Sequence, residues 1–174
     1  MNIEDYYSIE NQIKRNNANK YINDKKKEFK IILKNDPNSI TANWLLAKEN
    51  IDFENLPEKK PLFITDNKYE IYWVNLKELL QNLNCNAEKV YGKKSLWTLQ
   101  HNDSKITRVL IHWQNQEKLI PIILNIPDPK LVLIQDGHHR LTVSNYLDLE
   151  TIPVIISKNF EANFLSRFTF FEKI

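Results

Sequence analysis

The sequence contains little of what disulfide-linked, membrane-spanning and exported proteins need. Its 174 residues include one cysteine, Cys85, which excludes an internal disulfide framework and fits a reducing compartment. No apolar run approaches the roughly 20 residues that a membrane-spanning helix requires. The first residues are polar and include acids, which is not typical of a secretory signal or a transit peptide. We therefore expect a cytoplasmic protein that does not associate with a membrane.

A strong charge of either sign is also missing. The formal net charge is +2, with 26% charged residues, so composition alone does not indicate a nucleic-acid-binding protein. The lysine run at residues 25–27 is most simply the solvated face of a helix, and a nucleic-acid patch is the alternative. The abundance of Asn, Lys and Ile favours a bacterial source with an AT-rich genome.

Glycine is also scarce. The chain has two glycines, whereas typical usage is about 7%. In a sequence with so few glycines, each one more often stands where the backbone needs a conformation that other residues rarely adopt. Gly137 stands out, because it follows the apolar run at residues 131–134 and Asp136, and precedes His138, His139 and Arg140. We expect the backbone to reverse at Gly137 in a conformation that other residues rarely adopt.

Residues 1–60 have the pattern of a helical extension. A helix over residues 24–33 places Phe29, Ile32 and Leu33 on one stripe, and the Asp36-Pro37 pair ends it. A second helix is predicted from a cap at Ser39 to residue 56, and its apolar positions are Ile40, Trp44 and Leu45. We expect this extension to dock on the rest of the chain or to bind a protein partner.

Residues 61–174 have the pattern of one small α+β domain. Strands are predicted at residues 62–65, 69–74, 119–126, 131–134 and 152–157. Helices are predicted at residues 76–83, 105–119 and 141–147, with Asn75 opening the first and Ser104 capping the second. Residues 127–129 are predicted to form a turn, and residues 84–103 have no clear pattern.

The segment Asp-Gly-His-His-Arg at residues 136–140, here named the DGHHR turn, has the chemistry of an anion site. A helix that starts after Gly137 offers unpaired N–H groups and the positive end of its dipole. Arg140 adds a planar fork of donors suited to phosphate, and His138 and His139 can donate hydrogen bonds or transfer protons. Asp136 could cap the helix, orient a histidine or contact a metal ion bound to phosphates.

Two alternatives to a phosphate site follow from the same residues. Asp-Gly is a common turn, and a histidine at a helix start can simply cap it, so a structural turn explains the segment equally well. A zinc site needs three or four convergent ligands, and no Cys or His partners stand at useful spacing. No protein metal site is therefore predicted.

The order of strand, DGHHRL, short helix and Ile-Pro-Val strand resembles the ParB/sulfiredoxin fold family. Residues 72–79 and 119–124 are similar to the family's first strand and helix and to the strand before its box, so the resemblance covers residues 69–157. It implies a small mixed-sheet fold that binds a nucleoside di- or triphosphate with Mg²⁺. The phosphate-binding residues that it implies are Gly137, His138, His139, Arg140 and Thr142.

The departures from the family pattern narrow the function. The box lacks the cysteine that peroxiredoxin repair needs, and the arginine-rich box of a DNA-sliding clamp is absent. Asp148 stands where the family has a helix-ending glycine, and aspartate is among the few residues that tolerate a left-handed backbone. What the resemblance leaves is a nucleotide-phosphate site without an assigned reaction.

Three function classes fit this site. The first is an enzyme of phosphoryl chemistry, either a nucleotide hydrolase or a small-molecule kinase. The resemblance then implies that Asp136, His138 and His139 are catalytic and that Glu78 is the base, with Glu70 behind it. A solvated helix residue is the other interpretation of Glu78.

The second class is a ParB-like nuclease or DNA-associated protein, favoured by the basic pairs and runs at residues 25–27 and 93–94. The third is a non-catalytic antitoxin- or immunity-type protein whose residues 1–60 cover a protein partner. Nucleotide binding separates the first class from the third, and metal-dependent DNA cleavage identifies the second.

Overall fold

The computed structural model describes residues 9–51, 69–84, 90–92, 96–97 and 102–174. The named helices are α1 (Ile9–Asn35), α2 (Leu76–Asn82), α3 (Asp103–Gln114), α4 (His138–Tyr146) and α5 (Glu161–Arg167). The strands are β1 (Tyr69–Asn75), β2 (Ile122–Asp128), β3 (Leu131–Asp136), β4 (Thr151–Ser157) and β5 (Phe171–Lys173). Short 3-10 turns lie at Pro37–Ser39, Lys48–Asn50 and Lys158–Phe160.

The five strands form one mixed sheet in the order β3-β2-β4-β1-β5. β2 and β4 are parallel, whereas the β1–β4, β1–β5 and β2–β3 pairs are antiparallel. The strands predicted at residues 131–134 and 152–157 therefore belong to one sheet, as β3 and β4. The prediction of a small α+β mixed-sheet fold with an N-terminal helix is confirmed.

Alternate side chains of each strand point to opposite faces of the sheet. Apolar side chains lie on both faces. One face joins the main core, which also receives Phe29 and Leu33 of α1 and Trp113 of α3. A smaller cluster, which contains Ile51, Ile71, Ile123 and Ile155, covers the other face. The described part of the N-terminal extension thus packs into the same core as the sheet, and its predicted boundary at residue 60 lies outside the described residues.

The end of α1 follows the prediction, but the second predicted helix is wrong. Asp36 accepts a hydrogen bond from the Asn38 N–H at 3.0 Å and caps a single 3-10 turn instead of a helix. The chain then extends, because Trp44 forms an isolated parallel bridge with Leu119. The Leu45 N–H donates to the Leu119 carbonyl at 2.8 Å. Backbone pairing with a distant residue has replaced the helical bonds that the apolar pattern predicted.

Other predicted boundaries shift. α3 is capped by Asn102 rather than Ser104 and ends at Gln114, five residues before its predicted end. β2 begins at Ile122 and continues through Pro127 and Asp128, which were predicted to be part of a turn. The strand predicted at residues 62–65 and most of residues 84–103 lie outside the described residues. None of the described helices is both long and apolar enough to span a bilayer.

Candidate functional site

The backbone at Gly137 has the conformation that the sequence predicted. Gly137 caps α4 directly after β3, with φ 103° and ψ 13° in the left-handed region. A Cβ atom there would lie 3.1 Å from both the Ile122 Cα atom and the Arg140 Nη2 atom. Both the left-handed backbone and the close approach of β2 therefore require glycine.

The start of α4 is a helix N-terminus without a capping side chain. Its first intrahelical hydrogen bond runs from the Leu141 N–H to the Gly137 carbonyl, at 2.9 Å. The dipole of a helix favours negative charge at this end, where the backbone N–H groups point along the helix axis. Because Gly137 has no side-chain oxygen to cap the helix, the direction of these N–H groups suits an external acceptor.

Arg140 lies beside this helix start and is held by Asp136. The Arg140 Nη2 atom donates to the Asp136 Oδ2 atom at 2.7 Å, and 14% of the Arg140 side chain is exposed. The Nε atom of Arg140 is buried and has no acceptor among the described residues. A guanidinium carries five N–H donors, so this single ion pair leaves most of its donors unused. Asp136, which was predicted to cap the helix, orient a histidine or contact a metal ion, contacts the arginine.

His138 contacts a residue that sequence reasoning missed. The Tyr91 hydroxyl and the His138 Nδ1 atom lie 2.6 Å apart, and the two rings stack with an interplanar angle of 16°. The Asn145 amide donates to the Tyr91 carbonyl, so residues 90–92 lie against α4. His139 follows His138 in the first turn of α4 and is half-buried. No local signal pointed to Tyr91, because residues 84–103 have no clear sequence pattern.

Thr142 is placed inside the helix rather than at its start. It is buried, and its hydroxyl donates to the His138 carbonyl at 2.9 Å. A threonine that bonds the carbonyl four residues earlier is satisfied within its own helix. The geometry gives Thr142 a structural contact, and its predicted role in phosphate binding has no support from this position.

The carboxylate of Glu78 lies elsewhere. Its Oε1 atom accepts from the N–H and hydroxyl of Thr169, each at 2.7 Å, and its Oε2 atom accepts from the Phe170 N–H at 3.1 Å. Burial raises the pKa of Glu78, but these hydrogen bonds outweigh burial and hold the pKa below its ordinary value. β2 and β4 separate β1, which precedes Glu78, from β3. The structure does not bring Glu78 to the DGHHR turn, and its role as a base stays a prediction.

Glu70, the second carboxylate considered, lies in a cluster of lysines. It accepts from Lys48 at one oxygen and pairs at the other with Lys158 at 3.0 Å and with Lys173 at 3.2 Å. Burial raises the pKa of Glu70, but hydrogen bonds from the lysines outweigh burial and lower the pKa to about 2. Glu70 is a charged structural residue in this setting.

The residues that remain together at the turn suit an anion better than a metal held by protein alone. No group of three or more His, Cys, Asp or Glu side chains converges within the described ranges. Mg²⁺ is commonly held by one or two carboxylates together with the phosphates of a nucleotide. Asp136 could supply one such carboxylate, since about half of its side chain is exposed.

The lysine run at residues 25–27 is paired within the protein. Lys25 pairs with Glu28 at 2.8 Å, Lys27 pairs with Asp24 at 3.4 Å, and Lys26 pairs with Asp103. These ion pairs agree with a helix face that is solvated and locally neutralised. They give no support to a nucleic-acid patch there, and residues 93–94 lie outside the described residues.

Two surface grooves have volumes of about 420 and 480 Å³. Pro37, Trp44 and Leu147 are among the residues that line the first, Phe170 and Glu172 line the second, and both include Trp73. Neither groove includes a residue of the DGHHR turn. A phosphate can bind a helix start at the surface without a deep cavity.

No family model, curated protein or solved structure matches this chain. The resemblance to the ParB/sulfiredoxin fold family therefore stays a prediction. One local departure from that pattern can be followed in the structure. Asp148, directly after α4 and its C-cap, has φ 61°, so aspartate adopts the left-handed backbone as predicted.

Proposed function

We propose that the DGHHR turn binds the phosphate groups of a nucleotide. The observation that carries the proposal is the incomplete hydrogen bonding of Arg140, which donates to Asp136 and has a buried Nε–H without an acceptor. A buried donor that lacks an acceptor costs about 1–3 kcal/mol, and more when it belongs to a charged group. An anion near Arg140 and the start of α4 would offer the missing acceptors.

The same geometry explains how the anion would be held. Asp136 fixes the guanidinium of Arg140 beside the helix start, so little ordering of the side chain is needed on binding. The backbone at Gly137 lets a phosphate approach closely, because no Cβ atom stands there. His138, oriented by Tyr91, lies on the first turn of the same helix. Arginine, the helix dipole and backbone N–H groups together form a site for a multiply charged ligand.

A nucleotide with Mg²⁺ is the ligand class that we propose. The turn would contact the phosphates, and Asp136 would hold the ion together with the phosphate oxygens. This assignment follows from the resemblance to the ParB/sulfiredoxin fold family as well as from the charge of the site. The base and sugar are left to other residues, since the turn has only groups that suit phosphate.

Phosphoryl transfer or nucleotide hydrolysis would add a catalytic step at His138 and His139. Such chemistry needs a group that accepts the proton of the nucleophile, and Glu78 is bound to Thr169 and Phe170 instead. The two histidines are therefore the groups to test. Binding is the part of the function that the geometry supports best.

A thermal-shift series with ATP, ADP, CTP and GTP, with and without Mg²⁺, tests the proposal. A ligand at 100 times its Kd stabilises the fold by about 2.7 kcal/mol, which raises Tm measurably. Arg140→Ala should reduce the shift, and Arg140→Lys should recover part of it because lysine keeps the charge but not the fork. Arg108, which is exposed on α3 and in no described ion pair, supplies the control Arg108→Ala. Equal shifts for wild type and Arg140→Ala would overturn the proposal.

A further inference from the structure

The last ten residues carry an unusual share of the exposed apolar surface. The described residues include eight large hydrophobic side chains that are exposed, and four of them, Leu165, Phe170, Phe171 and Ile174, lie between residues 165 and 174. Phe170 is 70% exposed. Phe170 and Phe171 belong to one surface groove, and an exposed apolar patch can mark an interaction surface.

This surface borders an open strand edge. Among the described strands, β5 pairs with β1 alone, with Trp73 opposite Glu172, and it stands at the edge of the sheet. The Asn75 N–H donates to the Phe170 carbonyl at 3.3 Å, and the Ile174 N–H donates to the Ile71 carbonyl at 2.9 Å. Backbone groups alternate in direction along an antiparallel strand, so those of Phe171 and Lys173 face away from β1.

No described residue forms a backbone pair with this outer edge of β5. A strand edge with open N–H and C=O groups can accept a further extended chain. All three residues of β5 are exposed, and none of the described helices covers the strand there. The edge is therefore a place where an extended peptide can add to the sheet.

The groove of about 480 Å³ lies beside this edge and determines which peptide fits. Its lining includes the aromatic residues Trp73 and Phe170 and the acidic residues Glu150 and Glu172. Neither carboxylate forms an ion pair with a described residue. Aromatic faces attract a cation, carboxylates pair with it, and both accept the apolar stem of a lysine or arginine side chain.

We propose that β5 and this groove bind an extended basic peptide by strand addition. The backbone of the peptide would pair with the outer edge of β5. Side chains of a strand alternate between the two faces with a period of two, so a lysine or arginine at every second position would lie on the groove side. This surface uses no residue of the DGHHR turn and is independent of nucleotide binding.

A second copy of the chain fits the edge less well. If Phe171 paired with Lys173 of a second copy around a two-fold axis, the two Glu172 side chains would lie opposite each other. Like charges directly opposite on neighbouring strands are destabilising. The groove would also keep its unpaired carboxylates, whereas a basic peptide would neutralise them. Charge complementarity thus favours the peptide.

Fluorescence anisotropy with a labelled (Lys-Thr)4 peptide tests the proposal on the full chain. We expect saturable binding that weakens about two- to fivefold for each of Glu150→Gln, Glu172→Gln and Phe170→Ser, the effect of roughly 0.5–1 kcal/mol per surface contact. Glu49→Gln, which removes an exposed carboxylate outside the groove, should leave the affinity unchanged. Thermal unfolding of each variant verifies that the fold is kept.

Two further peptides separate charge from strand pairing. A (Glu-Thr)4 peptide should not bind, and a (Lys-Thr)4 peptide with N-methyl groups at alternate residues should bind at least tenfold more weakly, because it cannot complete the backbone pairs. The proposal is overturned if (Lys-Thr)4 shows no saturable binding, or if the acidic or the methylated peptide binds with the same affinity as (Lys-Thr)4. It is also overturned if the groove variants bind (Lys-Thr)4 with the affinity of wild type. Sedimentation that shows a dimer which the peptide does not dissociate would also overturn it.

Discussion

The ion pair of Arg140 with Asp136 and the cluster around Glu70 contain the same kinds of groups, but their hydrogen bonds are satisfied to different degrees. Both oxygens of Glu70 accept hydrogen bonds from lysines, and 9% of its side chain is exposed. Arg140 is similarly buried but has one described acceptor, and its Nε–H has none. The hydrogen bonds of Glu70 are satisfied within the protein, whereas Arg140 has N–H donors without a described acceptor.

We infer from the difference that Glu70 has a structural role and that Arg140 is available to bind a ligand. The lysines on Glu70 come from three parts of the chain, so the cluster connects the segment at Lys48, the 3-10 turn after β4 and the strand β5. The Arg140–Asp136 pair links residues four positions apart and joins no distant elements. A change at Glu70 should therefore affect folding, and a change at Arg140 should mainly affect binding.

The largest expected effect comes from Gly137→Ala, which breaks the turn that positions Arg140. A left-handed backbone costs a non-glycine residue about 1–2 kcal/mol, and crowding against a packed neighbour adds about 1–3 kcal/mol. We expect the free energy of unfolding to fall by about 2–4 kcal/mol in urea denaturation. A loss below about 0.5 kcal/mol would show that the backbone at Gly137 is not left-handed.

Glu70→Gln tests the structural role of Glu70. It leaves three lysines without their shared carboxylate, and we expect a loss of about 1–3 kcal/mol, less than for a fully buried pair because the lysines are partly exposed. Nucleotide affinity should not change. A variant as stable as wild type at pH 7 would contradict the structural role of Glu70.

The stability that Glu70 contributes should depend on pH, and its pKa gives the sign of the change. The pKa of Glu70 is about 2 in the folded chain and near 4.5 without its partners. The ionised form therefore stabilises the fold above about pH 4.5, and this contribution is lost as the pH falls towards 2. We expect the stability gap between wild type and Glu70→Gln to shrink over that range in urea denaturation. A gap that widens on acidification would contradict the assignment.

Tyr91→Phe tests whether Tyr91 orients His138, and it removes no charge from the turn. It deletes the hydroxyl that bonds the His138 Nδ1 atom at 2.6 Å. The loss of one hydrogen bond should lower the unfolding free energy by about 1 kcal/mol and shift the imidazole nitrogen signals of His138 in NMR spectra. Unchanged ring signals would show that Tyr91 does not orient His138.

The smallest expected effect is that of Asp148→Gly. The left-handed position after α4 favours glycine, so the variant should be more stable by roughly 0.5 kcal/mol in urea denaturation. Because Asp148 belongs to neither cluster, nucleotide affinity and the pH dependence should match wild type. A less stable variant would mean that the aspartate side chain makes a contact that outweighs its backbone strain.

The parts of the fold that local chemistry determines were predictable from the sequence. β3 and β4 follow from apolar runs, the end of α1 follows from Asp36 and Pro37, and the left-handed backbone follows from Gly137. Each of these depends on residues that are close in the chain. The residues of the DGHHR turn are likewise adjacent in the chain, so the sequence alone shows which side chains lie there.

The parts that depend on distant contacts were not predictable. The segment after Ser39 has an apolar pattern suited to a helix, but the bridge between Trp44 and Leu119 holds it extended. The contact of Tyr91 with His138 joins residues 47 positions apart, and the groove beside β5 is assembled from three strands. Sequence spacing does not reveal which residues meet in these places.

Calorimetric titration of ATP with Mg²⁺ into wild type and Arg140→Ala tests the central claim most directly. Hydrogen bonds to a charged group are each worth about 1.5–3 kcal/mol, so we predict saturable binding to wild type and about ten- to a hundredfold weaker binding to the variant. Urea denaturation should show that Arg140→Ala keeps its stability to within about 1 kcal/mol, since its ion pair joins neighbouring residues. No heat of binding with wild type, or equal affinities for the two proteins, would contradict the account.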